Sequence, residues 1–424
     1  MMKRFAIVGL GYVGLGLATA LAKTNFTIGY DIDTSRIQEL QQHKDRNNLV
    51  DSDTLKNSPV TYTDNLEDIK AANFYIITVG TPVYYYEMPN LEPLIAATKD
   101  IATVLKSGDI VVYESTVYPR TTEDVCIPLL EEYSKLKHGK DFHVGYSPER
   151  VNPGDTEHTL ANTTKIIAAH DAETLKEVQK AYQSICDETY PVSSIAIAEA
   201  IKILENTQRD VNIAFMNEFS KVMHALHLNM HEILEGAKTK WSFVPFKPGL
   251  VGGHCISVDP WYLVFQAKRY GIQTDLVSTA RKVNDGITKF ILQSLVKLLI
   301  TNQIDINNIT VGLFGISYKA NTLDSRNSLS LKLAKEIREY GFECLIHDPL
   351  DFQQQKHPAH TSLSPFEAMK DLSAAIILVG HDYYRDLGIQ PFINKCKTPN
   401  IIMDIPNLFV KEKLVSQNIA YWSL

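Results

Sequence analysis

Five cysteines among 424 residues (Cys126, Cys186, Cys255, Cys344 and Cys396), scattered and without a CxxC pair, are too few for a disulfide framework or a zinc ribbon. No long basic run is present: 42 Lys and Arg stand against 49 Asp and Glu, a net charge of -7, which removes the electrostatic footprint of a nucleic-acid binder. No stretch approaches the ~20 apolar residues of a membrane span. Residues 5–22 follow Lys3 and Arg4 and contain Ala18-Thr19-Ala20, so they imitate an export signal. Gly9, Gly11, Gly14 and Gly16 argue instead for a buried strand, a tight turn and a helix. Low-complexity tracts and short repeats are also missing, and the polar residues 351–360 read as a surface loop. The expectation is a cytoplasmic protein with neither nucleic-acid nor membrane partners. Its 45% hydrophobic and 21% charged residues suffice for two or three domains.

What is there alternates. Short β-rich runs at 5–8, 27–31, 61–62, 74–79, 110–114 and 143–146 are separated by helical spacings, which implies a parallel sheet wrapped by helices. From Ser194 to Asn229 no Gly or Pro intervenes, and Ile197, Ile201, Leu204, Val211, Phe215, Phe219, Val222 and Leu226 recur at helical spacing. A second long pattern, 276–301, contains only Gly286 as a breaker. Such a connector has apolar surface to spare, which usually meets a partner subunit. Runs at 310–314, 343–347, 374–379 and 400–404, with a helix over 328–340, predict a second, smaller α/β domain. The fold expected is α/β, two Rossmann-like doubly wound domains joined by a long-helix central domain, divided at 1–192, 193–302 and 303–424.

Gly9-Leu10-Gly11-Tyr12-Val13-Gly14 matches G-x-G-x-x-G between a strand and a helix. The first glycine allows the turn, the second admits a pyrophosphate, the third lets helix and strand pack, and the helix N-terminus offers N–H groups. Asp31, 20 residues past Gly11 at a strand end, suits a ribose diol and repels a 2′-phosphate, so NAD is favoured over NADP. Thr78 to Pro82, with Thr81, and Glu114-Ser115-Thr116 fall at later strand ends, on the ligand-binding edge of such sheets. The second α/β domain does not repeat the fingerprint, since Ser317-Tyr318-Lys319 follows Gly315, and it is expected to hold another ligand.

The run from Phe246 to Pro260 is the densest in chemistry. Gly249, Gly252 and Gly253 let backbone approach a ligand, and Cys255 leaves this loop before an expected helix, where a thiolate is favoured. A lone cysteine is more often a small buried hydrophobe. Lys202 and Asn206 are i and i+4 on one helix face, Glu149 and Arg150 follow a strand, and Lys319, Asp324 and Arg326 follow the first strand of the last domain.

The chain resembles the UDP-glucose/GDP-mannose dehydrogenase family almost end to end, from the glycine motif through Ser147-Pro148-Glu149-Arg150 and Gly252-Gly253-His254-Cys255 to Lys319 and Asp324-Ser325-Arg326. That resemblance implies a four-electron, NAD-dependent oxidation of a sugar C6 alcohol to a carboxylate, the nucleotide sugar held between the two α/β domains, and a homodimer or higher oligomer through the long helices. It implies Cys255 as nucleophile, Lys202, Asn206 and Asp259 around C6, Glu149 as acid/base at a thioester, and Thr116 between cofactor and substrate. Cofactor contacts are expected from Gly9, Gly11, Tyr12, Val13, Gly14, Asp31, Thr81, Pro82, Ser115, Thr116 and Arg326. Substrate contacts are expected from Glu149, Arg150, Lys202, Asn206, Phe246, Gly249, Gly252 and Lys319.

Two departures stand out. Pro153 replaces a second Glu common in UDP-glucose enzymes, and Pro406 replaces a basic residue, so that strand is assigned no contact. The wording around Glu149 and Cys255 is more similar to the branch acting on UDP-N-acetylhexosamines (the gluco or galacto sugar) in capsule and O-antigen pathways. UDP-glucose and UDP-N-acetylmannosamine are the alternatives within the family. A two-electron hydroxyacid dehydrogenase would not need Cys255, and a non-catalytic NAD-binding protein would not need Lys202, Cys255 and Asp259 together. His224, His227 and His231 at i, i+3 and i+7 raise a metal site, but no cysteine or carboxylate completes the set, so no metal is expected. Removing the charge of Asp31 and adding a nearby Arg should lower the NAD-to-NADP preference in paired kinetics. An unchanged ratio removes Asp31 from the cofactor site.

Overall fold

The computed structural model describes residues 3–84, 87–151, 157–350, 363–409 and 419–424; Tyr85, Tyr86, Pro153 and the expected loop 351–360 lie outside these. The chain divides into two compact units, residues 1–206 with 261–273 and residues 207–260 with 274–424. Two of the three divisions fall within helices, Ile195–Ala225 and Asp259–Arg269, and the third falls just before the helix Asp275–Asp285.

Among the described residues the first unit is built on eight strands: β1 Arg4–Val8, β2 Phe26–Tyr30, β3 Thr61–Thr63, β4 Phe74–Ile77, β5 Ile110–Tyr113, β6 His143–Tyr146, β7 Lys165–Ala169 and β8 Thr189–Pro191. Their order is β3-β2-β1-β4-β5-β6-β7-β8, the doubly wound arrangement with its switch between β1 and β4. All of β4 and all but the first residue of β1 are buried, as strands covered on both faces must be. The first six strands lie where sequence expects them. β7 and β8 were not anticipated, and β7 runs antiparallel to β6, so the sheet is not wholly parallel. The described residues between β6 and β7 contain no crossover helix, and without one a chain returns antiparallel.

The second unit carries β9 Thr310–Phe314, β10 Glu343–His347, β11 Ala374–Ile377, β12 Asn400–Asp404 and β13 Ile419–Ser423, parallel, in the order β10-β9-β11-β12-β13. Only β13 was not expected. Ser328 caps the helix Leu329–Glu339 by accepting the Ser330 N–H, and Leu333 and Ile337 bury its apolar face.

The middle of the chain differs from expectation at two points. The helix Ile195–Ala225 stops early: His227 takes a left-handed backbone (φ 56°) and Asn229 caps the separate helix Met230–Lys238. His224, His227 and His231 therefore do not share one helix face. His224 stacks on Trp422 with centroids 4.8 Å apart, while His231 lies 4.0 Å from Glu235. The pattern over 276–301 is likewise two helices, Asp275–Asp285 and Ile287–Thr301, parted at Gly286.

A buried polar network joins these helices inside the second unit. Arg281 (1% exposed) pairs with Asp210 (0%) at 2.5 Å, Asn284 donates to Asp210 Oδ1 at 2.7 Å, and Asn217 donates to Asn284 at 2.9 Å. Burial pushes the Asp210 carboxyl up, and Arg281 opposes it. Removing one partner of such a pair leaves an uncompensated buried charge. Arg281→Met is expected to lower unfolding stability by about 3–5 kcal/mol in urea titration, and adding Asp210→Leu should recover most of the loss. Equal losses in the single and double variants would contradict this.

Candidate active site

At the β1 end, Gly9 has φ 93° and its N–H donates to the Tyr30 carbonyl at 2.8 Å. A Cβ on Gly14 would lie 1.9 Å from the Gly9 carbonyl oxygen, so helix and turn pack closely only with glycine there; a Cβ on Gly11 would meet nothing within 4 Å. The helix Tyr12–Ala22, which also holds Val13, starts with no side-chain cap and no acidic first turn, which leaves its N–H groups for an anion. Asp31 accepts the Leu10 N–H at 2.7 Å through Oδ2 and the Asp33 N–H at 2.9 Å through Oδ1, fixing its carboxylate beside the turn. The residues present thus fit a dinucleotide.

Sequence reasoning missed Arg36. This buried side chain donates to the Leu10 carbonyl at 2.9 Å and pairs with Asp45 at 2.7 Å, holding the turn from below. Opposite, Thr81 Oγ1 donates to the Thr116 carbonyl at 2.5 Å, Ser115 donates to the Val79 carbonyl at 2.7 Å, and the Tyr262 hydroxyl donates to the Thr81 carbonyl at 2.6 Å. Thr81, Pro82, Ser115 and Thr116 are thereby gathered at the ends of β4 and β5.

Past β6, Glu149 accepts the Val151 N–H and lies 3.7 Å from the ammonium of Lys165, a β7 residue only 2% exposed. Lys165 also pairs with Glu114 at 2.7 Å, so Glu114, a strand-end residue in the sequence, turns inward. Burial alone would depress Lys165, but Glu114 and Glu149 outweigh it and hold the ammonium charged. Arg150 pairs with Glu205 at 2.8 Å and donates to the Thr164 carbonyl at 2.7 Å. Lys202 and Asn206 share a helix face with 8% and 7% exposure. One turn earlier, Glu199 accepts the Arg120 and Thr122 N–H groups at 2.5 and 2.9 Å, and burial pushes its carboxyl up to about 7.

In the second unit a cavity of about 260 Å³ opens at the ends of β9, β11 and β12. Lys247 to Leu250, Gly252, Ser317 to Ala320, Leu378 to Gly380, Ile405 and Pro406 line it. Gly249, Gly252 and Lys319 are therefore on one cavity. Pro406, whose strand was expected to make no contact, also lies on the lining of this cavity. Phe246 instead packs with Met216, Met223, Met230 and Leu234, anchoring the segment. Lys247 and Ile405 were not singled out by sequence.

The cysteine loop is clamped to that cavity's rim. Asn217 pairs its amide with Gly249, donating to the carbonyl at 3.1 Å and accepting the N–H at 2.8 Å. Asn327 donates to the Gly253 carbonyl at 3.1 Å; a Cβ on Gly252 would approach the Asn327 carbonyl to 2.8 Å, and one on Gly253 the Tyr318 ring to 2.8 Å. Cys255 is half-buried in a turn whose carbonyl accepts the Asp259 N–H at 2.8 Å. The helix begins at Asp259, not at the cysteine. Arg326 is held by Asp324 at 2.6 Å, and despite burial this guanidinium keeps the Asp324 carboxyl below its usual range.

The second sheet repeats the first unit's cradle without its glycine fingerprint. Gly315 has φ 93°, the Ile316 N–H donates to Asp348 Oδ2 at 2.7 Å, and a Cβ on Gly315 would meet Val379, as one on Gly9 would meet Val79. Asp348 is buried, near His381 at 3.5 Å, whereas Asp31 is half-exposed.

No helix of the described residues is long and apolar enough to cross a membrane, and all five cysteines are free. Three family models match: the UDP-glucose/GDP-mannose dehydrogenase NAD binding domain over residues 3–186, its central domain over 196–286 and its UDP binding domain over 312–411. The chain is 40% identical to Protein CapL of Staphylococcus aureus, covering 100% of both chains. It is 38% identical to a UDP-N-acetyl-D-glucosamine 6-dehydrogenase of Pseudomonas aeruginosa, covering 97% of this chain and 98% of that one. A solved UDP-D-ManNAc dehydrogenase from Pyrococcus horikoshii superposes with TM-score 0.88 at 30% identity, covering 99% and 98%. The chain belongs to the UDP-glucose/GDP-mannose dehydrogenase family and is an NAD-dependent UDP-sugar dehydrogenase.

Proposed function

We propose that this enzyme oxidises the C6 alcohol of a UDP-N-acetylhexosamine, the N-acetylglucosamine or N-acetylgalactosamine sugar, to the uronic acid used in surface polysaccharide precursors. The observation carrying this reading is the 38% identity, over 97% of the chain, to relatives named for UDP-N-acetyl-D-glucosamine 6-dehydrogenation. A cavity framed by Lys247 and Lys319 at the strand ends of the UDP-binding segment supports a diphosphate-linked sugar. We divide the chain functionally at 1–192, 193–302 and 303–424, in keeping with the three matched segments. The exposed Leu204, Phe215, Val222 and Leu226 of the long helix favour a homodimer or larger assembly, and the free thiols favour the cytoplasm.

The Gly9–Gly14 turn, Asp31, Thr81, Pro82, Ser115, Thr116 and Arg326 would hold NAD, which would accept one hydride per molecule, so two molecules would be needed for each sugar. The chain's own residues do the rest. The Cys255 thiolate adds to the C6 aldehyde, retaining it as a thiohemiacetal; loss of the second hydride leaves a thioester. Lys202 stabilises the oxyanion of that addition, and Asn206 and Asp259 order the water. Glu149 takes a proton from the attacking water, which splits the thioester to carboxylate and free thiol. With Lys165 beside it, this carboxylate has a neighbouring positive charge whether or not a second glutamate is present. Arg150, fixed by Glu205, shapes the same strand-end loop.

A panel of UDP-N-acetylglucosamine, UDP-N-acetylgalactosamine, UDP-N-acetylmannosamine, UDP-glucose and GDP-mannose, scored by kcat/KM with mass detection of the uronic acid, tests the assignment. One of the first two should lead, because a pocket that pairs with the acetamido group leaves a buried polar atom unpaired when glucose binds. A lead for UDP-N-acetylmannosamine would move this enzyme to the activity named for its Pyrococcus relative; a lead for UDP-glucose or GDP-mannose would remove the acetamido reading.

A further inference from the structure

We propose that His143, His170 and Asp171 form a binding site for a divalent transition-metal ion of the zinc class, separate from the cofactor and substrate residues. The site follows from the one antiparallel step in the first sheet. In the β6–β7 register Gly145 faces Ala169, so His143 at the start of β6 faces Asp171 just beyond β7, and His170 lies between them. The side chains converge. His143 Nδ1 is 3.4 Å from His170 Nε2 and 3.6 Å from Asp171 Oδ2, and His170 Nε2 is 2.5 Å from the same oxygen. One ligand atom from each residue lies within 4.8 Å of the other two.

His170 faces acceptors with both ring nitrogens, Nδ1 toward the Val144 carbonyl at 3.4 Å and Nε2 toward Asp171 Oδ2 at 2.5 Å, so a proton or a metal ion lies on the Nε2 side. Asp171 Oδ2 also accepts the Thr174 hydroxyl at 3.0 Å. Two of the three separations, 3.4 and 3.6 Å, lie near the roughly 3.3–3.5 Å edge of a tetrahedron with ~2.0–2.2 Å zinc bonds. The third must open by less than about 1 Å, a small movement for a carboxylate.

The surroundings suit an ion. Asp171 uses Oδ1 to cap the helix Ala172–Tyr182 through the Thr174 N–H at 2.7 Å, which orients Oδ2 toward the imidazoles. His138 packs its ring 4.3 Å from that of His170 and walls one side. The three ligands are 16–38% exposed, so an ion can enter from solvent and water can take the fourth position. Two imidazoles and one carboxylate select zinc, cobalt or nickel over calcium and magnesium. Sequence could not show this, because the histidines are 27 residues apart and meet only through an antiparallel pairing that was not anticipated.

The test uses the untagged full-length chain, stripped with a chelator and titrated with zinc chloride by calorimetry and cobalt chloride by visible absorption. We expect one ion per chain, weakened by at least about 100-fold in His143→Asn/His170→Gln, more than the loss of an outer-shell partner causes. Asp171→Asn keeps a capping side chain and should weaken binding with the helix intact. Cys255→Ser controls for zinc on the nucleophile and should leave the site unchanged, with no thiolate charge-transfer band in the cobalt spectrum. No saturable binding, equal binding by the double histidine variant, or loss of binding in Cys255→Ser would overturn the proposal and leave the proton as the occupant.

Discussion

The backbone of residues 249–253 is the constraint on which the second unit's chemistry rests. Asn217 grips Gly249 through both amide groups, Asn327 holds the Gly253 carbonyl, and Gly252 and Gly253 lie so close to Asn327 and Tyr318 that any side chain there would collide. Asn217 is itself fixed by Asn284, and Asn284 by Asp210, whose charge Arg281 balances. A chain of buried polar contacts therefore runs from two packed helices to the loop bearing Cys255. Breaking one of these links leaves a buried polar group without that partner, which costs about 1–3 kcal/mol. The network's consequence is a loop held at both Gly249 and Gly253 just ahead of Cys255, the thiol that the proposed reading uses as nucleophile.

The first unit fixes its turn by another route. Its turn is set by a glycine with positive φ and a helix packed against it with no Cβ between, and Asp31 and Arg36 brace Leu10 from both of its amide groups. The second sheet uses the same brace, Asp348 on Ile316, around a cavity of different lining. Burial separates the two carboxylates. Asp31 remains half-exposed, as the proposed ribose contact requires, whereas Asp348 is enclosed beside His381.

Much of this was legible in the sequence because its determinants are local. The glycine turn, Asp31, and the Gly-Gly-His-Cys loop are each written within a few residues, and strands buried on both faces announce themselves as apolar runs. What was hidden depends on distant partners. Lys165 sits in an unremarked run, and its role depends on Glu114, 51 residues away. The second cradle escaped notice because only its first position requires glycine. The early end of the helix at Ala225 has no Gly or Pro to mark it; His227 adopts the left-handed backbone instead. Pro406 drew no role from its side-chain chemistry, and its place on the cavity lining is set by the fold around it.

The central claim is that one cysteine retains the aldehyde between two oxidations of one carbon. Counting NADH formed against UDP-sugar consumed, by absorbance and mass spectrometry on one reaction, tests this most directly. The account predicts two NADH per uronic acid for the parent enzyme and no uronic acid from Cys255→Ser, because an alcohol is a poorer nucleophile than a thiolate. One NADH per sugar with aldehyde released by the parent, or two at the parental rate from Cys255→Ser, would contradict it.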